Sequence, residues 1–444
     1  MSIDKQTEEQ ANKRPAWMGH WAWDVVSGAL LVIYVALTLH YAHTLLSRLD
    51  EGLYTVKGYF FAIGKYWPYQ DYGPLTNHMP LSFLIPGYVQ KWFGPGIRVS
   101  RHYAVVMGTL TMLGLWLTAR RLGGRAWGSA ALLSVVVSPY LVKTYSLELS
   151  QVLVAAMLSW TLFFVLGEER KTWQLVVGGL LAGMAMMTRL NLAALLPFML
   201  LYILWQYGWR KALATGTAGG LVVLVLHAIY WPGILRMWAY WVPQGIFGFL
   251  DPYYEPWRKT FAFHREPIST WIGNIESVQW NPVIAFWQGM RFYFPGLTAA
   301  FATMLLWPKR RAWGSAQRFR QTLVLVGLFL VLLGMHMWAA LGGNSCHIFC
   351  YLNYLTFFYI LGPLMLISSL SIWQVALPKW RSIPIILFVC LYLAGIGFSA
   401  ARQVAPPIGD ILVPRVSGGS FQSGSIELWG LLANKFNLNY LESI

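Results

Sequence analysis

Long apolar runs recur from one end of this chain to the other, and they leave few folds open. They lie at 25–46, 103–119, 127–145, 149–167, 321–341, 349–371 and 383–399 and are rich in Leu, Val, Ala and Met. At 1.5 Å per residue each is roughly long enough to cross a hydrocarbon core of about 30 Å. Backbone groups in lipid must pair internally, so such runs are helices. A membrane barrel would instead read as ~10-residue strands of alternating polarity. The expected fold class is an all-α integral membrane protein. Charged residues make up 11% of the chain, against about 25% in soluble domains, which excludes a soluble enzyme carrying one anchor.

The formal net charge is +16. The basic residues explain it without nucleic acid, because they cluster at alternate connections. These clusters are Lys5, Lys13 and Arg14; Arg120, Arg121 and Arg125; Arg170 and Lys171; Arg210 and Lys211; Lys309, Arg310, Arg311, Arg318 and Arg320; and Lys379 and Arg381. Basic loops face the cytoplasm, so the expectation is a cytoplasmic N-terminus, about eleven helices and an extracytoplasmic C-terminus. The first apolar run is too long for a signal-peptide core, so it reads as a helix that stays. Residues 1–24 are then a cytoplasmic segment, 25–400 the membrane domain and 401–444 a short outer tail. The outer loops, near 47–101 and 231–290, are rich in Trp, Tyr, Pro and Gly and read as interfacial helices and loops. Transporter-type repeat halves are not evident. Cys346, Cys350 and Cys390 form neither a disulfide framework nor a zinc spacing; Cys346 and Cys350 read as packed thiols, with a disulfide between them as the lesser alternative.

Acids are scarce, so their positions carry weight. Asp50 and Glu51 follow the first run, and the aromatic segment Tyr54 to Tyr69 comes directly after them. A carboxylate under an aromatic lid is partly desolvated and becomes a better base; plain interfacial polarity is the bland alternative. Glu148 stands at the outer start of the fourth helix, where the macrodipole alone favours an acid. The short runs 173–188 and 191–206 put Thr188-Arg189-Leu190-Asn191 below the outer surface. An arginine there needs a wet cavity or an anionic partner, unless it only snorkels to the headgroups. Three charges on one side suit a reaction that deprotonates a hydroxyl and holds an anionic leaving group.

With those residues in view, the chain resembles the GT-C membrane glycosyltransferases. It is similar to the group that holds protein O-mannosyltransferases and the lipid A aminoarabinose transferase. The resemblance rests on Asp50-Glu51-x-x-Tyr54, on Tyr72-Gly73-Pro74-Leu75, and on Gly179-x-x-x-Gly183-x-x-x-x-x-Arg189. It covers residues 25–206 well, and the rest in style only. It implies a GT-C-type bundle with interfacial helices in the outer loops. It also implies a polyprenyl-phosphate-linked sugar donor and inverting transfer to a hydroxyl acceptor of a lipid, glycan or protein at the outer face of a bacterial inner membrane. By the same resemblance Asp50 acts as base or acceptor guide and Glu148 is the second acidic position, with Glu51 beside Asp50. Arg189 and His347 meet the lipid phosphate. Tyr54, Asp71, Tyr72, Asn77, His78 and Asn191 are candidates for contacting sugar or acceptor. A divalent cation (Mg or Mn) held by Asp50, Glu51 and Glu148 stays open, since no spacing demands it. The short tail departs from relatives that carry a soluble outer domain, and so favours a small or lipid-linked acceptor. The alternative is a transporter or lipid-linked sugar flippase. It is disfavoured because the helix middles are nearly free of acids.

Overall fold

The computed structural model describes residues 16–47, 49–65, 69, 79–235, 237–238, 313, 315–341, 352–376, 378–387 and 390–391. Among these residues the chain is helical and contains no strand. Six stretches are long and apolar enough to cross a membrane: Trp21–Thr44, Ile97–Gly123, Leu190–Tyr207, Trp209–Ile229, Ala316–His336 and Leu355–Trp373. Ser150–Val165 and Thr172–Met186 are shorter apolar helices. The chain is a multi-pass membrane protein.

In chain order the helices are α1 (Ala16–Thr44), α2 (Leu49–Ala62), α3 (Leu81–Phe93), α4 (Ile97–Gly123), α5 (Arg125–Val136), α6 (Pro139–Thr144), α7 (Ser150–Val165), α8 (Thr172–Met186), α9 (Leu195–Tyr207), α10 (Trp209–Ile229), α11 (Ala316–Leu341) and α12 (Leu361–Ala376). A 3₁₀ segment, Leu352–Ile360, leads into α12. The segment expected to be an outer interfacial loop contains α2 and α3.

Three boundaries differ from the apolar runs, each for a local reason. The run 127–145 is two helices, because Pro139 cannot continue α5 and Ser138 before it is extended. The run 103–119 begins six residues early, at Ile97, where the chain leaves Gly96 at φ 127°. The first helix begins at Ala16, ahead of the polar-to-apolar change at Asp24. Gly124 at φ 99° joins α4 to α5 with no intervening loop, a backbone state that side chains disfavour.

α7 is the centre of the bundle. It is buried along nearly its whole length and packs on α4, α8 and the 3₁₀ segment. Within lipid the hydrophobic effect does not drive one helix onto another, so close backbone approach does more of the work. α8 and α10 use it: a Cβ on Gly179 would lie 2.5 Å from the Thr215 carbonyl oxygen, and one on Gly183 would lie 2.5 Å from that of Gly219. Small residues four apart on both helices thus let the backbones touch, and this fixes the helix that ends just before Arg189. α2 and α3 cross in the same way at Gly58 and Gly87, where an added Cβ on either would collide with the backbone of the other helix.

Candidate active site

The first turn of α2 carries Asp50 and Glu51, and Tyr54 and Thr55 follow one turn later on the same face. Glu51 is completely buried. It survives there because Arg101 of α4 meets it bidentately, Nε to Oε1 at 2.8 Å and Nη2 to Oε2 at 2.9 Å. The same guanidinium donates through Nη1 to the carbonyls of Ala42 (2.9 Å) and Leu45 (2.6 Å) at the end of α1. One arginine therefore ties α1, α2 and α4 together. The amide of Glu148 donates to Glu51 Oε1 at 3.2 Å, which anchors the chain just ahead of α7 to the same carboxylate.

Glu148 is also buried, and its Oε2 has no hydrogen-bond partner among the described residues. Burial pushes its carboxyl well above the usual carboxylate range, and the Glu51 charge pushes further; the nearby Thr55 hydroxyl works weakly the other way. Two acids in one dry site thus divide their roles. Glu51 is paired with Arg101, and burial favours the protonated form of Glu148.

Arg189 reaches the start of α7 from the turn after α8. α8 ends at Met186, and Arg189 is extended (φ −145°, ψ 124°) before the 3₁₀ turn Leu190–Leu192. The Leu81 amide at the start of α3 bonds the Met187 carbonyl at 3.1 Å and holds this break in place. Arg189 Nη1 donates to Ser150 Oγ at 2.7 Å, and Ser150 donates onward to the Tyr54 hydroxyl at 3.0 Å. Tyr54 is buried, and burial pushes its phenol up to about 12. Arg189 opposes that rise, Asp50 adds to it, the Ser150 bond opposes it and Glu148 adds a little. A single phenol therefore lies near Asp50, Glu148 and Arg189, three ionisable groups that lie 41 to 139 positions apart in sequence. Asp50 itself is half-buried.

Asn191 is buried two residues on. Its Nδ2 lies 3.5 Å from Nδ1 of the buried His336 on α11, and its Oδ1 has no hydrogen-bond partner among the described residues. His347, Asp71, Tyr72, Asn77, His78, Cys346 and Cys350 lie outside the described residues. Cys390 is an exposed free thiol.

Sequence reasoning missed four participants. Arg101 was hidden just ahead of an apolar run; the signal for it is that a buried Glu51 needs a cation. Ser150 reads as an ordinary helix-start residue. His336 was absorbed into the apolar run 321–341, and Lys57, buried against Phe61 and Phe83, into the stretch read as an outer loop. As for a metal, no three His, Cys, Asp or Glu among the described residues are placed to hold one, and Glu51 directs both oxygens at Arg101. A cavity of about 400 Å³ lies elsewhere, lined by Arg121, Arg170, Arg318 and Ser371. Arg121 is about 30 Å along α4 from Arg101, so this cavity belongs to the far end of the bundle.

A family model described as dolichyl-phosphate-mannose-protein mannosyltransferase matches residues 77–231. In fold the chain is similar to ArnT from Cupriavidus metallidurans bound to undecaprenyl phosphate. That similarity has a TM-score of 0.52 and 16% identity, and covers 95% of this chain and 74% of that one. The Archaeoglobus fulgidus oligosaccharyltransferase in its apo form scores 0.49 at 12% identity, over 87% of this chain and 55% of that one. No curated protein sequence matches.

Proposed function

The chain has the fold of the GT-C membrane glycosyltransferases, and on that premise we propose that it moves a sugar from a polyprenyl phosphate to a hydroxyl acceptor. The observation that carries this reading is the hydrogen-bonded line from Arg189 through Ser150 to Tyr54, flanked by Asp50 and Glu148. A fixed cation hydrogen-bonded toward a buried phenol, with a half-exposed carboxylate nearby, supports a site that holds an anion and takes up a proton. The undecaprenyl phosphate bound to ArnT supports the class of donor.

The acceptor oxygen attacks the anomeric carbon opposite the phosphate. Its proton passes to the Asp50 carboxylate as the new carbon–oxygen bond forms. The bond from the anomeric carbon to the phosphate oxygen breaks, and its electron pair stays on that oxygen. The lipid phosphate gains negative charge at that moment, and Arg189 is the group aimed at it. Preorganised charge of this kind often supplies more of the rate enhancement than any other effect. Asp50 later returns its proton to the departing phosphate or to water. Attack opposite the leaving group inverts the anomeric configuration. Glu51, held by Arg101, positions rather than reacts. Glu148, which keeps its proton, donates to a sugar or acceptor oxygen. Asn191 Oδ1 accepts from a sugar hydroxyl. The site faces the extracytoplasmic side of a bacterial inner membrane, with the N-terminus in the cytoplasm and the C-terminus outside, a reading that the alternating basic loops support.

The test uses purified protein in detergent with a panel of polyprenyl-phosphate-linked sugars, and mass spectrometry of the released lipid phosphate. Asp50→Asn should lower turnover by roughly 10²- to 10⁴-fold, the usual range for a general base. Arg189→Ala should weaken donor use while leaving the protein folded. Near-normal transfer by Asp50→Asn would remove the base assignment.

A further inference from the structure

Two exposed histidines face each other beside the Arg101 clamp. His43 sits in the last turn of α1 and His102 in the second turn of α4, next to Arg101. Their Nε2 atoms are 3.2 Å apart and their ring centres 5.2 Å, with the planes inclined at 65°. They lie on different helices, 59 positions apart in sequence, so local geometry does not force the approach.

We propose that His43 and His102 form a two-imidazole binding site for a divalent transition metal of the zinc, nickel or copper class. The argument is the bite. Imidazole nitrogen binds zinc at about 2.0–2.1 Å, so two nitrogens 3.2 Å apart subtend an angle of about 100° at a shared ion. That lies between the angles of square-planar and tetrahedral coordination. Nitrogen donors also select this class over magnesium or calcium, which prefer oxygen. Both rings are exposed at the ends of α1 and α4, which leaves the remaining coordination positions open. A hydrogen bond between two neutral imidazoles accounts for the distance too, but an exposed bond of that kind contributes little.

The position gives the site a consequence. His43 adjoins Ala42, whose carbonyl Arg101 holds, and His102 adjoins Arg101 itself. An ion at this point bridges the same α1–α4 seam from outside that Arg101 bridges from within. The site is separate from the proposed catalytic groups and does not depend on their assignment.

The experiment uses full-length protein purified without a histidine tag, because a tag would mask the site. Zinc is titrated calorimetrically, and copper(II) is followed by electron paramagnetic resonance. Wild type should bind one ion strongly enough to saturate, and the copper spectrum should carry splitting from two imidazole nitrogens. The ion should also raise the thermal midpoint. His43→Ala and His102→Ala, both at exposed positions, should each lose saturable binding and the thermal shift while eluting as monodisperse protein. The proposal is overturned if wild type binds no ion, or if either variant binds it as wild type does.

Discussion

Replacing Arg101 by methionine tests the frame on which the candidate site is built. The substitution keeps much of the side-chain volume and removes the charge. Glu51, with no exposure to solvent, then loses both guanidinium contacts at 2.8 and 2.9 Å. The carbonyls of Ala42 and Leu45 lose their donor as well. Breaking one partner out of a buried ion pair typically costs 3–5 kcal/mol, because the survivor is left uncompensated. The half-exposed Leu45 carbonyl recovers a bond from water, so the expected total is about 4 kcal/mol, a large share of the 5–15 kcal/mol that holds a typical fold. The double variant Glu51→Gln with Arg101→Met removes both charges of the pair and should cost clearly less than the sum of the two single changes, with a coupling near 2 kcal/mol. The assay is reversible unfolding in mixed micelles, followed by tryptophan fluorescence. A loss below about 1 kcal/mol for Arg101→Met, or strict additivity in the cycle, would refute the clamp.

Further consequences are as direct. Gly183→Val drives a branched side chain into the Gly219 carbonyl and should destabilise by at least 1–3 kcal/mol, whereas Gly220→Ala, which meets nothing within 4 Å, should be tolerated. Glu148 has a raised folded-state pKa, so its contribution is complete below the ordinary glutamate value and is lost as pH climbs through the raised one. Glu148→Gln should therefore gain on wild type as pH increases, and a stability difference that stays flat with pH argues against a protonated carboxyl. Ser150→Ala removes the link between Arg189 and Tyr54; donor KM should rise roughly fivefold, as about 1 kcal/mol implies, and steady-state kinetics with varied donor read it directly.

The helices were legible because lipid imposes one rule on every spanning segment. The points where the runs failed, at Pro139, Gly96 and the N-terminal polar stretch, are places where backbone chemistry overrides hydropathy. Asp50, Glu148 and Arg189 stood out because charge is scarce and expensive near a membrane. Arg101 did not, since a basic residue at a helix end has an easier explanation in topology. Asp50 and Glu51 were read together as an acidic pair, and adjacency in sequence hid how different their surroundings are. On a helix, consecutive residues diverge by about 100°, so one acid turns toward Arg101 and the other toward Tyr54. Ser150 was invisible for another reason: a hydroxyl acquires its role only from neighbours brought in by α2 and by the turn after α8.

Where Gly58 meets Gly87, α2 and α3 form two legs of one strut, since neither position admits a side chain. The stretch that joins them leaves from the end of α2 and returns at Pro80, so its feet keep a constant separation whatever residues it carries. The start of α3 also holds the Met187 carbonyl through the Leu81 amide, so a crossing of two glycines ties the helix that carries Asp50 to the turn that carries Arg189.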